Sequence, residues 1–360
     1  MPKIWIDILT PKQTLFLNKI GEALEERGFE VLYTTRQYRE VVELIKLKKL
    51  KAIIVGRHGG KNLSEKLIAS SERIIELTKL IIEEKPDMAL SFSSPECARV
   101  AFGLGIPHIS VNDSPHSVFV AKLTIPLSKT LFSPKVIPKE VWTRFGIDKS
   151  NILQYNALDP VAWLKDFTPN AQVLHELNLD TDKPIITIRE TEAYASYLLQ
   201  KVDSIAPVSD VLIPLLVKEI EQVQIVVLPR YEEQVNYIQR KYRSRNVSVA
   251  TKVIDGASLL YYTTVFVGGG GTMNIEAALL GVPVISVYPG ETTYVEKFLI
   301  KKGLVFRNKR INVVIRKIID FIKDDNLKML IKSKAEKLMR KMEDPAKFIS
   351  TNLVKIMQYT

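Results

Sequence analysis

The feature that most constrains the fold is an alternation of short β-rich runs with helical patterns, which begins at the first residues and recurs in the second half of the chain. Parallel strands need a crossover connection between them, and that connection is usually a helix. The alternation therefore predicts a parallel, doubly wound α/β sheet. The strands predicted for the first series are 4–9, 30–34, 52–55, 87–91 and 106–111.

The second series follows an irregular stretch from 134 to 182 that several prolines interrupt. Its predicted strands are 184–188, 223–228, 247–250, 265–267 and 282–287, with helical patterns between and after them. Because 360 residues exceed the size at which one hydrophobic core usually stops growing, we predict two Rossmann-like domains. We place them at 1–160 and 161–345, followed by a C-terminal helix over 346–360 that packs back on the first domain.

Composition limits the class of protein. The single cysteine, Cys97, excludes an internal disulfide and a cysteine-rich metal site. No run approaches the roughly 18 consecutive apolar residues of a membrane span. Residues 1–7 pass directly into a strand pattern without the features of a signal peptide, so we predict a cytoplasmic protein.

The formal net charge of +11 indicates an anionic partner, which could be a nucleotide, a phospholipid surface or a nucleic acid. The sequence contains no recognised nucleic-acid motif, so nucleic acid is the weakest of the three. Part of the excess charge lies between 297 and 341, where lysine and arginine alternate with apolar residues at helical spacing. Two interpretations stay open: solvated surface helices, or a patch that associates with the inner surface of the membrane.

The strongest chemical signal is a glycine-rich turn between the predicted strand 265–267 and the helix that follows it. The turn consists of Gly268, Gly269, Gly270, Gly271 and Thr272. Backbone amides without Cβ atoms can approach an anion closely at the positive end of a helix. Thr272 could cap the helix and donate its hydroxyl to a ligand. The alternative is a tight turn with a structural role only.

One helical turn later, Glu276 could accept hydrogen bonds from two ribose hydroxyls, or it could merely favour the helix N-terminus through the dipole. The spacing of the glycines fits neither the Walker A pattern nor a dinucleotide fingerprint at the first βα turn of the chain. The turn therefore predicts a phosphate-bearing ligand without identifying it.

Two loops of the first domain also follow predicted strands. The loop 56–61 offers mobile amides and two cations, so Arg57 could bind an acceptor phosphate and His58 could act as a general base. An exposed glycine-rich loop with an incidental histidine is the alternative. Asp113 and His116 follow the strand 106–111 and form a second candidate catalytic pair, whereas an Asx-type turn is the alternative there.

The segments 3–7, 56–61, 98–107 and 265–285 together make the chain resemble the DUF354 family of archaeal and bacterial proteins, which is regarded as GT-B-like. The glycine-rich segment also looks like the nucleotide-sugar site of GT-B glycosyltransferases and of UDP-N-acetylglucosamine 2-epimerase. The resemblance implies two domains that face a cleft, with the nucleotide-sugar on the second and the acceptor on the first.

The resemblance also implies roles for single residues. The amides from Gly269 to Thr272 would hold the diphosphate and Glu276 the ribose. Arg189 follows the first strand of the second domain, where the epimerases have an arginine, and Arg230 follows the next strand; an arginine paired with a neighbouring carboxylate is the alternative.

The first βα turn of GT-B proteins commonly faces the acceptor, which assigns Asp7 and Lys12 to the acceptor side; a helix cap is the alternative. Members of the family often have histidines in this turn, whereas this chain has Lys12 and Thr14. The identity of the base is therefore open.

These observations favour a metal-independent GT-B glycosyltransferase that uses a nucleotide-sugar, most readily a UDP-linked one, and no cofactor. No histidine or cysteine cluster has the spacing of metal ligands. Two alternatives stay open: an enzyme similar to UDP-N-acetylglucosamine 2-epimerase, and a protein that binds a nucleotide-sugar or an anionic polymer without catalysis. The acceptor and the oligomeric state are not determined by the sequence.

Overall fold

The computed structural model describes residues 1–191, 205–242 and 246–358. The chain forms two compact units, of which the first comprises Met1–Trp163 together with Met342–Thr360 and the second comprises Leu164–Lys341. The predicted helices between Thr191 and Gln222 lie partly outside the described residues. No helix in the described ranges is both long and apolar enough to cross a membrane.

The first unit contains a seven-stranded parallel sheet with the order β3-β2-β1-β4-β5-β6-β7 among the described residues. Its strands are β1 Lys3–Ile8, β2 Glu30–Gln37, β3 Ala52–Arg57, β4 Met88–Ser91, β5 His108–Val111, β6 Thr130–Pro134 and β7 Ile152–Tyr155. The helices up to the end of this unit are α1 Pro11–Glu25, α2 Arg39–Leu47, α3 Leu63–Glu84, α4 Pro95–Gly103, α5 Val118–Thr124, α6 Glu140–Thr143 and α7 Val161–Leu164.

The second unit contains a six-stranded parallel sheet with the order β10-β9-β8-β11-β12-β13, again counted over the described residues. Its strands are β8 Ile185–Arg189, β9 Gln224–Leu228, β10 Val247–Val249, β11 Val265–Gly268, β12 Val284–Ser286 and β13 Val305–Arg307. The remaining helices are α8 Gln172–Leu177, α9 Pro207–Glu219, α10 Glu232–Lys241, α11 Gly256–Tyr262, α12 Thr272–Leu279, α13 Tyr294–Lys301, α14 Ile311–Lys323, α15 Asp325–Arg340 and α16 Pro345–Gln358. The last of these, α16, belongs to the first unit and packs against α1.

Both sheets are parallel and doubly wound, which confirms the predicted fold class. Local sequence explains why the helices begin where they do. Thr10 accepts a hydrogen bond from the backbone of Gln13, and Pro11 is the first helical residue of α1. Ser94 and Pro95 begin α4 in the same way.

Three strands are missing from the prediction: β6, β7 and β13. Length alone does not explain this, because β10 and β12 are as short as β13 and were predicted. β6 is buried throughout and ends on Pro134, and β7 is buried only at its first and last residues, so neither shows the alternation of a half-buried strand. The first sheet therefore extends by two strands at one edge, of which β7 lies within the stretch that looks irregular in the sequence.

A buried ion pair connects the strands at the centre of the first sheet. Both carboxylate oxygens of Asp7 accept hydrogen bonds from Arg73 of α3, at 2.6 and 3.1 Å. Thr34 of β2 and Ser94 each donate to the same carboxylate at 2.6 Å. The Nε of Arg73 donates to the carbonyl of Val55 in β3 at 3.0 Å.

Asp7 is fully buried, and its hydrogen bonds and the charge of Arg73 hold its pKa below the usual range although burial acts in the opposite direction. Asp7 was predicted to face an acceptor. The structure corrects this, because a carboxylate enclosed by an arginine and two hydroxyls cannot contact a ligand at the surface. Asp7 instead has a structural role in the core of the first unit.

We expect Asp7→Ala to destabilise the first unit by about 3–5 kcal/mol, because Arg73 would be left as an uncompensated buried charge. Urea denaturation followed by tryptophan fluorescence would measure this, since Trp5, Trp142 and Trp163 all belong to the first unit. Glu83→Ala, at an exposed position of α3, is the control and should change stability by less than about 0.5 kcal/mol. A loss below about 1 kcal/mol for Asp7→Ala would contradict the structural role.

Candidate functional site

The glycine-rich turn lies at the carboxyl end of β11, where open parallel sheets bind ligands. Gly270 and Gly271 have positive φ angles of 102° and 98°, which side-chain-bearing residues rarely adopt. A Cβ atom on Gly270 would overlap the ring of Tyr288. The turn therefore requires glycine at both positions.

The two preceding glycines are fixed by packing. A Cβ atom on Gly268 would overlap the side-chain amide of Asn274, and one on Gly269 would overlap Thr191. The Oδ1 atom of Asn274 is buried and has no hydrogen-bond partner among the described residues. The backbone of the turn thus lies close to polar atoms of β8's connecting loop and of the first turn of α12.

Helix α12 begins at Thr272, and the preceding residue, Gly271, is its N-cap. Thr272 was predicted to cap the helix. The structure corrects this, because Thr272 is already the first helical residue and the N-cap, Gly271, has no side chain that could accept a hydrogen bond. The first amides of a helix have no partner within the helix, so this end of α12 presents N–H donors and the positive end of the dipole.

The two predicted arginines occupy different places. Arg230 donates from Nε to the carbonyl of Glu190 at 2.9 Å and from Nη2 to the carbonyl of Gly270 at 3.2 Å. Its guanidinium therefore lies against the glycine-rich turn. Arg189 donates to the carbonyl of Pro229 at 2.7 Å, so its side chain extends towards the end of β9. The structure thus brings Arg230, rather than the side chain of Arg189, onto the turn.

Glu276 lies in α12 with only 5% of its surface exposed. It is one helical turn beyond Thr272, as predicted, but its carboxylate is enclosed by the second unit in this structure. Contact between Glu276 and a ribose remains a prediction.

A second loop beside the turn was missed by the sequence analysis. Tyr288 follows β12, and Arg307 of β13 donates to the carbonyls of Tyr288 at 3.0 Å and Gly290 at 2.6 Å. Arg307 also pairs with Glu296 of α13, which in turn accepts a hydrogen bond from Ser286. This network fixes the loop that packs Tyr288 against Gly270. Tyr288 and Gly290, an aromatic residue and a glycine that follow a buried strand, were the features of the sequence that could have indicated this loop.

In the first unit, Lys12 pairs with two carboxylates. Its Nζ lies 2.5 Å from Asp113 and 2.6 Å from Asp159, and it lies 4.2 Å from the centre of the Phe92 ring. Tyr155 donates a hydrogen bond to Asp159 at 2.5 Å. The three charged residues follow β1, β5 and β7, so their meeting at one sheet edge is a consequence of parallel strands. We call Lys12, Asp113 and Asp159 the lysine–aspartate cluster.

The lysine–aspartate cluster carries one more carboxylate than lysine, and this imbalance separates the two carboxyl pKa values. Burial and the neighbouring Asp113 raise the pKa of Asp159 to about 6, although Lys12 opposes the shift. Burial also acts on Asp113, but the charge of Lys12 outweighs it and lowers the pKa of Asp113. Asp159 was missed because β7, which positions it, was not recognised in the sequence.

The environment of His58 does not favour its role as a general base. His58 accepts a hydrogen bond from the amide of Gly60 at 3.0 Å and stacks on Tyr38 with 4.9 Å between ring centres. Burial, Arg36 and Lys66 lower the pKa of His58 to about 4. At neutral pH this imidazole is therefore uncharged and only weakly basic.

The loop after β5 forms the Asx-type turn that was the alternative interpretation, since Ser114 donates its amide to the side chain of Asn112 at 2.7 Å. Asp113 accepts from the Ser114 hydroxyl and pairs with Lys12, and His116 is exposed beyond the turn. Arg57 is half exposed and pairs at 3.5 Å with Glu65 and Glu72 of α3.

Of the predicted first-domain residues, the structure therefore brings together Lys12 and Asp113, and His116 lies close enough for the charges of both to act on it. His58 and Arg57 lie at the end of β3. Over the described ranges, no group of three or more histidine, cysteine or acidic side chains is arranged to hold a metal ion.

We expect Asp159→Asn to change the pH dependence of stability. The pKa of Asp159 is raised from 3.8 to about 6, so the stability linked to its proton is complete below pH 3.8 and is lost as the pH rises through about 6. The unsubstituted protein should therefore lose stability relative to Asp159→Asn across this window. Urea denaturation between pH 4 and pH 7 measures the difference, with the exposed Asp148→Asn as control. Parallel pH profiles for the protein and Asp159→Asn would contradict the assignment.

Comparison with solved structures places the fold among nucleotide-sugar enzymes. S. aureus MnaA, solved with UDP, has a TM-score of 0.75 at 16% identity, and the match covers 100% of this chain and 96% of that one. UDP-GlcNAc 2-epimerase from Neisseria meningitidis, bound to UDP-GlcNAc, has a TM-score of 0.75 at 16% identity over 99% of this chain and 100% of that one. Arabidopsis thaliana UGT89C1, complexed with UDP, has a TM-score of 0.69 at 15% identity over 99% and 100%.

These identities are low, so the likeness concerns the fold, which is that of UDP-GlcNAc 2-epimerases and GT-B glycosyltransferases. At the level of sequence, the chain is more similar to a different group of proteins. An uncharacterized protein of Methanocaldococcus jannaschii is 33% identical over 330 residues, which cover 89% of this chain and 91% of that protein. Residues 2–358 match the family described as protein of unknown function, DUF354. The chain belongs to the DUF354 family.

Proposed function

We propose that this protein is a glycosyltransferase that takes its sugar from a nucleoside-diphosphate sugar bound by the second unit. The observation that carries the proposal is the glycine-rich turn at the uncapped N-terminus of α12, with the guanidinium of Arg230 against it. Backbone amides, a helix dipole and an arginine are the groups that bind a diphosphate. The names of the compared structures, three of which include UDP or UDP-GlcNAc, make UDP-linked sugars the first donors to test.

The chemistry of the proposed donor site follows from charge. Transfer of a glycosyl group releases a nucleoside diphosphate, so negative charge develops on the leaving phosphate. The amide of Gly269 already donates to the carbonyl of Arg189 at 2.9 Å, so the donors left for the phosphate are the amides from Gly270 to Thr272. These amides and the cation of Arg230 would stabilise the developing charge without reorganising, which is how preorganised sites accelerate such reactions. In this proposal Glu276 binds the ribose and the site needs no metal ion.

The base that activates an acceptor hydroxyl would belong to the first unit. His58, with a pKa of about 4, is a weak base at neutral pH. Asp113 is partly exposed but has a lowered pKa, whereas the buried Asp159, to which it is hydrogen-bonded, has a pKa of about 6 that suits a general base. We therefore assign base catalysis to the pair, in which Asp113 contacts the acceptor and Asp159 takes up the proton, with Lys12 as a positioning residue and His116 as the nearest exposed imidazole along the loop.

A second candidate is an enzyme similar to UDP-GlcNAc 2-epimerase. The observation that supports it is that enzymes of that name share the fold with TM-scores from 0.68 to 0.75, a range that includes the 0.69 of UGT89C1. Both candidates would use the same donor site, so nucleotide binding does not separate them. Product analysis does: conversion of UDP-GlcNAc without any added acceptor would indicate epimerisation or hydrolysis, whereas an acceptor requirement would indicate transfer.

We expect a UDP-sugar to raise the melting temperature of the protein, because a ligand at about 100 times its dissociation constant adds about 2.7 kcal/mol of stability. Thermal-shift measurements with UDP, GDP, CDP and their sugars would identify the base that is bound. Arg230→Met and Glu276→Gln should abolish or strongly reduce the shift, since each removes a charged group of the donor site.

The matched control is Arg316→Met, which removes one positive charge from an exposed position of α14 in the same unit. It should keep the full nucleotide-dependent shift. If no nucleotide or nucleotide-sugar stabilises the protein, the donor site is refuted and binding of another anion is favoured. An equal loss in Arg230→Met and Arg316→Met would indicate a non-specific effect of net charge.

A further inference from the structure

Arg36 is a largely enclosed cation near the carboxyl end of β2. Its Nε atom is buried and has no hydrogen-bond partner within the described ranges 1–191, 205–242 and 246–358. Among the residues that the structure describes, Arg36 forms no ion pair. Burial accordingly lowers the pKa of Arg36. A guanidinium nevertheless stays charged in proteins, so this site holds a positive charge without a directly paired carboxylate among the described residues.

The two carboxylates whose charges act on Arg36 are engaged elsewhere. Asp7 accepts both of its arginine hydrogen bonds from Arg73. Glu96 lies 3.9 Å from Arg73 and accepts a hydrogen bond from Ser94 at 3.3 Å. Arg73 thus takes the anions of this region and Arg36 is left without one. Arg36 is partly exposed, but its enclosed Nε donor lacks an acceptor among the described residues, which is costly, and an anion from outside the chain can supply that acceptor.

The glycine-containing loop 56–61 lies beside Arg36. Gly56 and Gly60 have φ angles of 70° and 67°, and a Cβ atom on Gly59 would overlap the backbone of Glu65 and Lys66. The loop is therefore packed closely onto the first turn of α3. His58, in the middle of the loop, experiences the charges of both Arg36 and Lys66, so two cations from different elements face the same imidazole.

We propose that Arg36, together with the loop 56–61 and Lys66, binds a phosphate group. A phosphate monoester carries up to two negative charges and several acceptor oxygens, which suits two cations and glycine amides better than a carboxylate does. In the reaction proposed above, and only if that proposal holds, this phosphate belongs to the acceptor. Binding of phosphate to the first unit does not itself depend on glycosyl transfer.

The test is a titration with inorganic phosphate and with glycerol phosphate, at constant ionic strength maintained with sodium chloride. Melting temperature and isothermal calorimetry would follow binding to the full chain. Arg36→Met should weaken phosphate binding by about tenfold or more, because it removes a charge-assisted hydrogen-bonding partner. Arg39→Met, at an exposed position on α2, is the matched control and should bind phosphate as the unsubstituted protein does.

If Arg36 had only a structural role, its removal would lower the melting temperature in phosphate-free buffer. If Arg36 binds a ligand, its removal would not. Removing a cation that has no partner should leave stability unchanged or increase it, whereas removing a paired buried cation destabilises the fold. Arg36→Met should therefore melt at the same temperature as the unsubstituted protein or above it when phosphate is absent. A large loss of stability in phosphate-free buffer would overturn the proposal.

Proton NMR locates the bound phosphate, since the chain has four histidines whose ring signals can be followed. An anion beside His58 offsets the charges of Arg36 and Lys66, so phosphate should raise the pKa of His58 from about 4. Tyr38, which stacks on the ring, carries no charge at neutral pH. Phosphate binding that leaves the pKa of His58 unchanged would place the ligand elsewhere and refute this site.

The nucleotide site is tested separately in the same variants. Arg230→Met should keep the phosphate-dependent rise in the pKa of His58, and Arg36→Met should keep any stabilisation by UDP. Phosphate binding without nucleotide binding would refute the proposed function and leave the phosphate site intact. Nucleotide binding with unchanged phosphate affinity in Arg36→Met would refute the phosphate site alone.

Discussion

The pairing of Asp7 with Arg73 determines the electrostatics of the first unit. One bidentate contact joins β1 to α3, and the same arginine bonds to β3 while Ser94 joins α4 to the pair. Enclosing these charges is tolerable only because every oxygen of the carboxylate has a donor. Among the described residues the pair also leaves Arg36 without an ion-pair partner, because Asp7 is bonded to Arg73 and Glu96, whose charge acts most strongly on Arg36, lies 3.9 Å from the same arginine.

The second unit relies on steric constraint instead of charge. Four consecutive glycines let the backbone pass between Thr191, Asn274 and Tyr288, and each of these contacts excludes a side chain. Such close packing explains the glycines without any ligand. The proposal of a diphosphate site therefore depends on what lies around the turn: the uncapped end of α12 and the guanidinium of Arg230.

Sequence periodicity predicted the parallel sheets and the position of the glycine-rich turn, because both depend on local patterns of apolar residues and glycine. It missed β7, which does not show the alternation of a half-buried strand, and with it the aspartate that completes the lysine–aspartate cluster. Contacts between side chains were less predictable. Arg189 and Arg230 follow neighbouring strands with similar patterns, and only the direction of each side chain distinguishes the one that reaches the turn.

The same limit applies to capping and burial. Gly271 rather than Thr272 is the N-cap of α12, which the run of glycines does not reveal. Asp7 is a core residue because Arg73, 66 positions along the chain, pairs with it. Neither is encoded in a short window of sequence.

The lysine–aspartate cluster affects how many protons the first unit takes up or releases when a ligand binds. Two carboxyls share one ammonium, and the buried carboxyl titrates at a pKa of about 6, so the proton content of the cluster responds to any charge placed beside it. An arriving anion raises the affinity of the carboxyls for a proton, and an arriving cation lowers it. Binding to the first unit is therefore coupled to proton exchange with the solvent. Protons are taken up when an anion binds beside the cluster and released when a cation binds there.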